Sequence, residues 1–145
     1  MRIVIQRVAH ASVTIDDKTE SQIGKGLLIL LGIENTDCQE DADWLVKKVV
    51  GLRVFDDENG VMNLSMMDIN GEALVVSQFT LFASYKKGNR PSWFRAAGHD
   101  ISIPLYEYFC DECAKNGIEI QRGIFGADMK VQLINDGPVT IVMER

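Results

Sequence analysis

Ser77-Gln78-Phe79-Thr80 puts three hydrogen-bonding side chains directly after Leu74-Val75-Val76, a run that reads as a buried strand. Strand ends in α/β folds are where ligands dock. The side chains of Ser77, Gln78 and Thr80 suit an ester, and the backbone N–H groups there can face an oxyanion. The plainer reading is a strand that turns polar on leaving the core, and taken alone it is the stronger of the two.

A second segment, Asn135-Asp136-Gly137-Pro138-Val139-Thr140, lies between the apolar stretches Met129–Ile134 and Val139–Met143. Asp-Gly is a good hairpin turn. Pro138 spoils the simple version, because it removes a donor where the returning strand should pair. A Gly-Pro bond is also one where cis costs only about 0.5–1 kcal/mol over trans. A cis bond here swings two carbonyl oxygens to one side, where they can hold an ammonium group.

The third segment, Tyr85 to Arg95, holds Lys86, Lys87, Arg90 and Arg95, three aromatic residues and no acid. Cations interleaved with aromatics suit a phosphate chain with unstacked bases. The alternative is a solvated basic loop with one buried aromatic. A fourth segment, Phe125-Gly126-Ala127-Asp128-Met129, offers Phe125 and Met129 either as pocket walls or as core.

These segments need a scaffold. Ile3–Val8 and Ser12–Ile15 read as two strands, with a turn at Asp16-Asp17-Lys18. Gly26–Ile33 is almost wholly apolar, as in a strand buried on both faces. Thr36 and Gln39 have capping-box spacing ahead of a helix. Its face is Ala42, Leu45, Val46, Val49 and Val50, and Gly51 stops it. Leu52–Phe55 predicts a short strand, Asp56–Gly60 a turn, and Glu72–Phe82 a second apolar strand. Ser84–Arg95 predicts a loop running into a short helix. A helix capped by Ser102 spans about Ile103–Lys115, with Pro104 in its first turn. Ile118–Gln121 is a strand, and a hairpin closes the chain. Two main helices cannot cover both faces of so much sheet. The expected fold is α/β, one compact domain over 1–145 in sheet–sheet–helix (β/β/α) layers.

The chain has 145 residues, 46% of them hydrophobic and 25% charged, which excludes disorder and low-complexity classes. Its net charge of −6 argues against a general polyanion binder. That average hides segregation: Glu34–Glu58 carries eight acids against Lys47, Lys48 and Arg53. No apolar run is long enough for a membrane span. Cys38, Cys110 and Cys113 suggest reduced thiols and a cytoplasmic setting. Cys110-Asp-Glu-Cys113 falls inside a helical pattern rather than at the helix N-terminus a redox pair needs. A zinc site would need two further ligands. Phosphate-loop, nucleophile-elbow, zinc-protease and dinucleotide motifs are missing. His10 and His99 read as surface residues.

Taken together and in order, these segments resemble the D-aminoacyl-tRNA deacylase (D-tyrosyl-tRNA deacylase) family over essentially the whole chain. Ser77–Leu81 resembles its S-Q-x-T motif, and Asn135–Thr140 its N-x-G-P-x-T motif. Met1–Val8, Ala11–Val13, Gly26–Gly32, Met62–Ser65, Lys87–Ser92 and Phe125–Met129 also match. The helix bearing Cys110 and Cys113 matches no motif. The resemblance implies hydrolysis of the ester joining a D-amino acid to the tRNA 3′ end. It implies a homodimer with active sites at the subunit interface, and no cofactor or metal. Ser77, Gln78, Phe79 and Thr80 are then catalytic. Gly137, Pro138, Asn135, Thr140, Phe125 and Met129 bind and select substrate, with Arg7 bracing the Gly-Pro segment. Lys86, Lys87, Arg90 and Arg95 face the tRNA. Such a device spares L-aminoacyl-tRNA by clash at the α-carbon and cannot reject glycyl-tRNA. The alternative function is a non-catalytic module for single-stranded RNA 3′ ends.

Overall fold

The computed structural model describes residues 1–145. The chain opens with β1 (Arg2–Ile15), β2 (Lys18–Ile23) and β3 (Gly26–Gly32). Helix α1 (Gln39–Val50) leads to a small ribbon of β4 (Phe55–Asp56) and β5 (Met62–Leu64). Strand β6 (Glu72–Ser77) runs into a 3-10 turn (Phe79–Phe82). Helix α2 (His99–Lys115), β7 (Glu119–Arg122) and the long β8 (Lys130–Glu144) complete the chain.

Asp16 and Asp17 take φ of 47° and 60°, the paired positive angles of a two-residue hairpin turn. Strand β1 antiparallels β2 through its second half and β3 through its first, and β8 follows it along nearly all its length. Parallel pairs β3–β6 and β6–β7 finish the sheet, in the order β2-β1-β3-β6-β7 with β8 on β1. Parallel neighbours need crossovers. Helix α1 serves the first and α2 the second.

Both helices pack on the same side. Leu45 and Val49 of α1 join Phe109 and Cys113 of α2 over Ile29 and Val75 in one core. The opposite faces of β3 and β6 present Leu28, Leu74 and Val76, which pack with Val13 and Ile23 in a second core. Two helices and mixed sheets thus form one compact domain. The hydrogen bonds run through one six-stranded sheet, with the β4–β5 ribbon apart.

Several expected boundaries move. The two opening strands are one, because register slips opposite Val8 absorb the irregularity without ending the ladder. Strands β2 and β5 add pairing that the sequence pattern did not suggest. Helix α1 begins at Gln39 with Cys38 before it, not at Thr36. Asp37 is occupied by the Glu34 N–H at 2.7 Å, and Asp41 accepts from the Cys38 N–H at 3.1 Å. Helix α2 starts at His99, four residues early. Ser102 lies one turn inside and donates to the Gly98 carbonyl at 2.8 Å. Pro104 therefore falls in the second turn of the helix, where it forgoes one backbone bond. The strand expected over Leu52–Phe55 lies at Phe55–Asp56. No helix forms in Ser84–Arg95; Ser84 and Ser92 instead exchange backbone bonds of 2.8 and 2.9 Å that close a loop. The strand expected to continue to Phe82 stops at Ser77. The closing hairpin is absent too: β8 continues on both sides of Gly137-Pro138 as one strand interrupted by a bulge.

Candidate active site

Strand β6 is fixed along β3 up to the pair Leu31–Ser77. The Gln78 N–H then donates to the Leu31 carbonyl at 2.8 Å, the last bond of that ladder. Beyond it the backbone folds into the 3-10 turn, closed by Leu81 N–H to Gln78 O at 3.2 Å and Ala83 N–H to Thr80 O at 3.1 Å. The N–H groups of Phe79 and Thr80 stand at the open start of this turn, where no intrahelical acceptor exists. The Gln78 amide donates to the Thr80 hydroxyl. No carboxylate or imidazole bonds to that hydroxyl, so Thr80 has no base beside it.

Ser77, Gln78 and Phe79 line a cleft of about 630 Å³ between β6 and the start of α2. Phe125 and Met129 form the facing wall, as pocket residues and not only as core. Phe79 meets Trp93 edge-on, with ring centroids 5.4 Å apart. Phe125 meets both His99 and Tyr106 edge-on, at 5.5 and 5.8 Å. Tyr106 donates to the Val75 carbonyl at 2.8 Å, tying this wall to β6. Burial holds its phenol well above the usual tyrosine range. His99 is the single ionisable side chain on the cleft walls. Sequence reading placed it on the surface, and it is exposed, but on the cleft side. Trp93, one of the aromatics of the basic segment, thus lines the cleft, as does His99, which the sequence pattern did not single out.

Asn135, Gly137, Pro138, Thr140 and Arg7 assemble elsewhere. In the β1–β8 ladder Gln6 faces Thr140 and Val8 faces Asn135. Arg7 alone therefore opposes the four residues Asp136–Val139, which bulge out. The Gly137–Pro138 peptide is cis, and Gly137 takes φ of 124°. Both residues are exposed. Arg7 is buried beneath them. It donates to the Asp136 carbonyl at 2.9 Å, to the Val54 carbonyl at 2.6 Å and to the Asp56 carboxylate at 3.1 Å. The Thr140 hydroxyl bonds to the Gln6 side chain. None of these five residues lines the cleft of its own chain.

The basic loop divides as well. Lys86, Lys87 and Arg90 are exposed. Arg95 is committed: it grips both oxygens of the Glu34 carboxylate at 2.9 Å and lies over the Phe82 ring. Cys110 and Cys113 are buried free thiols, each pushed up to about 12 by burial. A redox role needs the opposite shift.

The fold and cleft define an α/β protein with a partly apolar cleft at the carboxyl end of a buried parallel strand. The chain belongs to the D-Tyr-tRNA(Tyr) deacylase family, whose model matches residues 4–144. It is similar to D-aminoacyl-tRNA deacylases of Phocaeicola vulgatus and Bacteroides thetaiotaomicron. Each is 64% identical over 145 residues, covering 99% of this chain and 97% of the relative. Among solved structures it resembles a c-Myc DNA Unwinding Element Binding Protein at 42% identity and TM-score 0.93, covering 100% of this chain and 99% of that one. The family is one of hydrolases, and this chain is an enzyme of it.

Proposed function

We propose that the protein hydrolyses the ester of D-aminoacyl-tRNA to free tRNA and D-amino acid, and spares L-aminoacyl-tRNA, as a chirality proofreader of translation in the cytoplasm. The observation that carries the reading is a division of labour. A cleft with hydrogen-bonding groups at one end and aromatic walls at the other sits apart from an exposed Gly-Pro tip. The tip does not line the cleft of its own chain. In a homodimer it enters the partner's cleft, so each site is completed across a two-fold interface.

In such a site the carbonyls of Gly137 and Pro138 take the substrate ammonium, and Ser77 to Thr80 take the ester. Phe125 and Met129 wall the side that receives the terminal nucleoside. Asn135 and Thr140 flank the tip and fix where it leaves β8. A D-residue turns its α-hydrogen toward the Gly-Pro wall. An L-residue would drive its Cβ into the wall and is excluded by clash. Glycine lacks a Cβ, so glycyl-tRNA is a side substrate. Because backbone carbonyls read no side chain, many D-amino acids are accepted.

Thr80 is bonded to an amide, which cannot take its proton, so water is the better nucleophile. The 2′-hydroxyl of the terminal adenosine activates that water, and the open N–H groups of Phe79 and Thr80 receive the oxyanion. Lys86, Lys87 and Arg90 supply about three phosphate contacts, for a salt slope of roughly −2 to −3.

The test incubates the protein with D-Tyr-tRNA and L-Tyr-tRNA, with and without a chelator. Release of the D-amino acid only, unchanged by chelator, is expected. Equal rates on both hands sink the chiral mechanism. Binding of RNA 3′ ends without turnover favours a non-catalytic module.

A further inference from the structure

We propose that Arg2 and Arg95 are positioning residues that clamp the 3-10 turn Phe79–Phe82 and with it the Ser77–Thr80 segment, a role that rests on the deacylase reading above. The turn ends at Phe82, whose ring is buried. The guanidinium carbon of Arg2 lies 5.0 Å from the centroid of that ring, and that of Arg95 lies 5.3 Å from it. Two cations on one ring repel unless each is balanced. Arg2 is balanced by Glu144 at 2.7 Å, and Arg95 by the two-pronged bond to Glu34. Arg2 also donates to the Leu81 carbonyl at 2.6 Å. That carbonyl lies at the closing end of the 3-10 turn, where acceptors lack intrahelical donors.

The turn is also packed closely against β3. A Cβ on Gly32, the last residue of β3, would sit 3.0 Å from the Gln78 carbonyl oxygen, 3.1 Å from Leu81 Cβ and 3.2 Å from the Phe82 ring. The turn therefore rests directly on the β3 backbone. Held by the two arginines and by its contact with Gly32, the turn keeps its open N–H groups and the Thr80 hydroxyl in one placement. Arg95 differs in this from its loop neighbours Lys86, Lys87 and Arg90, which remain free to meet phosphate.

The clamp and a phosphate contact make opposite predictions for Arg95. Deacylation of D-Tyr-tRNA is measured for kcat and KM across a salt series. The variants are Arg2→Met, Arg95→Met, Glu34→Gln and the conservative Arg2→Lys, with Lys87→Met for comparison. Arg2→Met and Arg95→Met lower kcat by roughly ten- to a hundredfold, because small misplacements of reacting groups are costly. Their KM and salt slope stay as in the wild type. Glu34→Gln lowers kcat in the same direction, and Arg2→Lys recovers part of the loss. Lys87→Met instead raises KM and flattens the salt slope by about 1.

The clamp is overturned if Arg95→Met behaves like Lys87→Met, or if Glu34→Gln tightens tRNA binding by freeing Arg95. Circular dichroism confirms that each variant is folded; should Arg2→Met not fold, Arg2→Lys and Glu34→Gln decide. A wild type without turnover overturns the deacylase reading and this inference with it. A wild type that turns over, with variants that keep its kcat, overturns the clamp alone.

Discussion

The turn after β6 and the bulge in β8 are built from similar materials and placed in opposite ways. Each is a departure from a strand, each is short and rich in polar or glycyl backbone, and each is held by arginine. The turn closes an internal parallel strand whose neighbours β3 and β7 are both paired to it. Its residues are pinned by the Leu31 carbonyl, by contact with Gly32 and by Arg2. The bulge leaves a strand paired on one side only, and its tip reaches solvent. It forfeits ladder bonds along one edge alone. On the proposed function, the groups that hold the ester lie on the internal strand, and the tip proposed to reach a partner lies at the edge.

Altering the tip gives the largest expected effect. Gly137 has φ of 124°, and a Cβ there would lie 3.0 Å from both the Arg7 guanidinium and Val139. Gly137→Ala forces the tip to rotate or Arg7 to withdraw. The expected loss in D-Tyr-tRNA hydrolysis is about a hundredfold or more, with a stability cost of about 1–3 kcal/mol. Single-turnover rates and thermal melts measure the two separately. A normal rate in this variant would detach the bulge from the chemistry.

Gly32→Ala applies the same substitution beneath the turn. The backbone φ is ordinary here, so the cost is overpacking, about 1–3 kcal/mol. A shift of a few tenths of an ångström in the turn is expected to lower kcat about tenfold. The contrast with Gly137→Ala lies in the ratio of activity lost to stability lost, which is larger at the tip. Equal ratios would mean that the two regions are constrained alike.

The difference also explains what could be read beforehand. The buried parallel strands were legible, because Leu27–Leu31 and Leu74–Val76 admit few other placements. The helical face Ala42–Val49 was legible from its 3.6 period. Both site segments were visible as polar interruptions beside apolar runs. Their shapes were not. Phe79-Thr80-Leu81-Phe82 continues a largely apolar run like that of a strand, and its contacts with Gly32 and Arg2, which accompany the 3-10 turn, come from distant segments. Asp136-Gly137 has good hairpin chemistry, and only pairing of both flanks with β1 turns it into a bulge. Arg95 shares its loop with free cations, and its commitment depends on Glu34, sixty-one positions earlier in the chain. Contacts between distant segments decided each case, and local patterns do not carry them.

Tyr106→Phe probes the wall that ties the cleft to β6, and a smaller effect is expected. The hydroxyl lost is a donor to the Val75 carbonyl. Its removal costs about 0.5–1.5 kcal/mol. Phe125 keeps its edge-on ring partner, so kcat is expected to change by no more than about twofold. A drop comparable to that of Gly32→Ala would show that the turn depends on this wall as much as on β3.

The smallest effect at neutral pH is expected in the thiols of α2, which belong to neither region. Burial pushes Cys110 and Cys113 up to about 12 from an ordinary 9.0. Between those values the folded chain holds protons that the unfolded chain has released. The associated stability is complete below about pH 9 and declines as pH rises toward about 12. Melting temperature should therefore fall between about pH 8.5 and 10.5. The fall should be shallower in the Cys110→Ala/Cys113→Ala double variant, where Tyr106, raised by burial, and Tyr108, raised by its bond to Asp43, still contribute. A thiol reagent at about pH 8 should label Cys38, the exposed cysteine, and spare the other two until the chain unfolds. Fast native labelling of Cys110 or Cys113 would make α2 a reactive element and reopen the redox reading of that pair. Slow labelling, with full turnover in the double variant, excludes the α2 thiols from the chemistry.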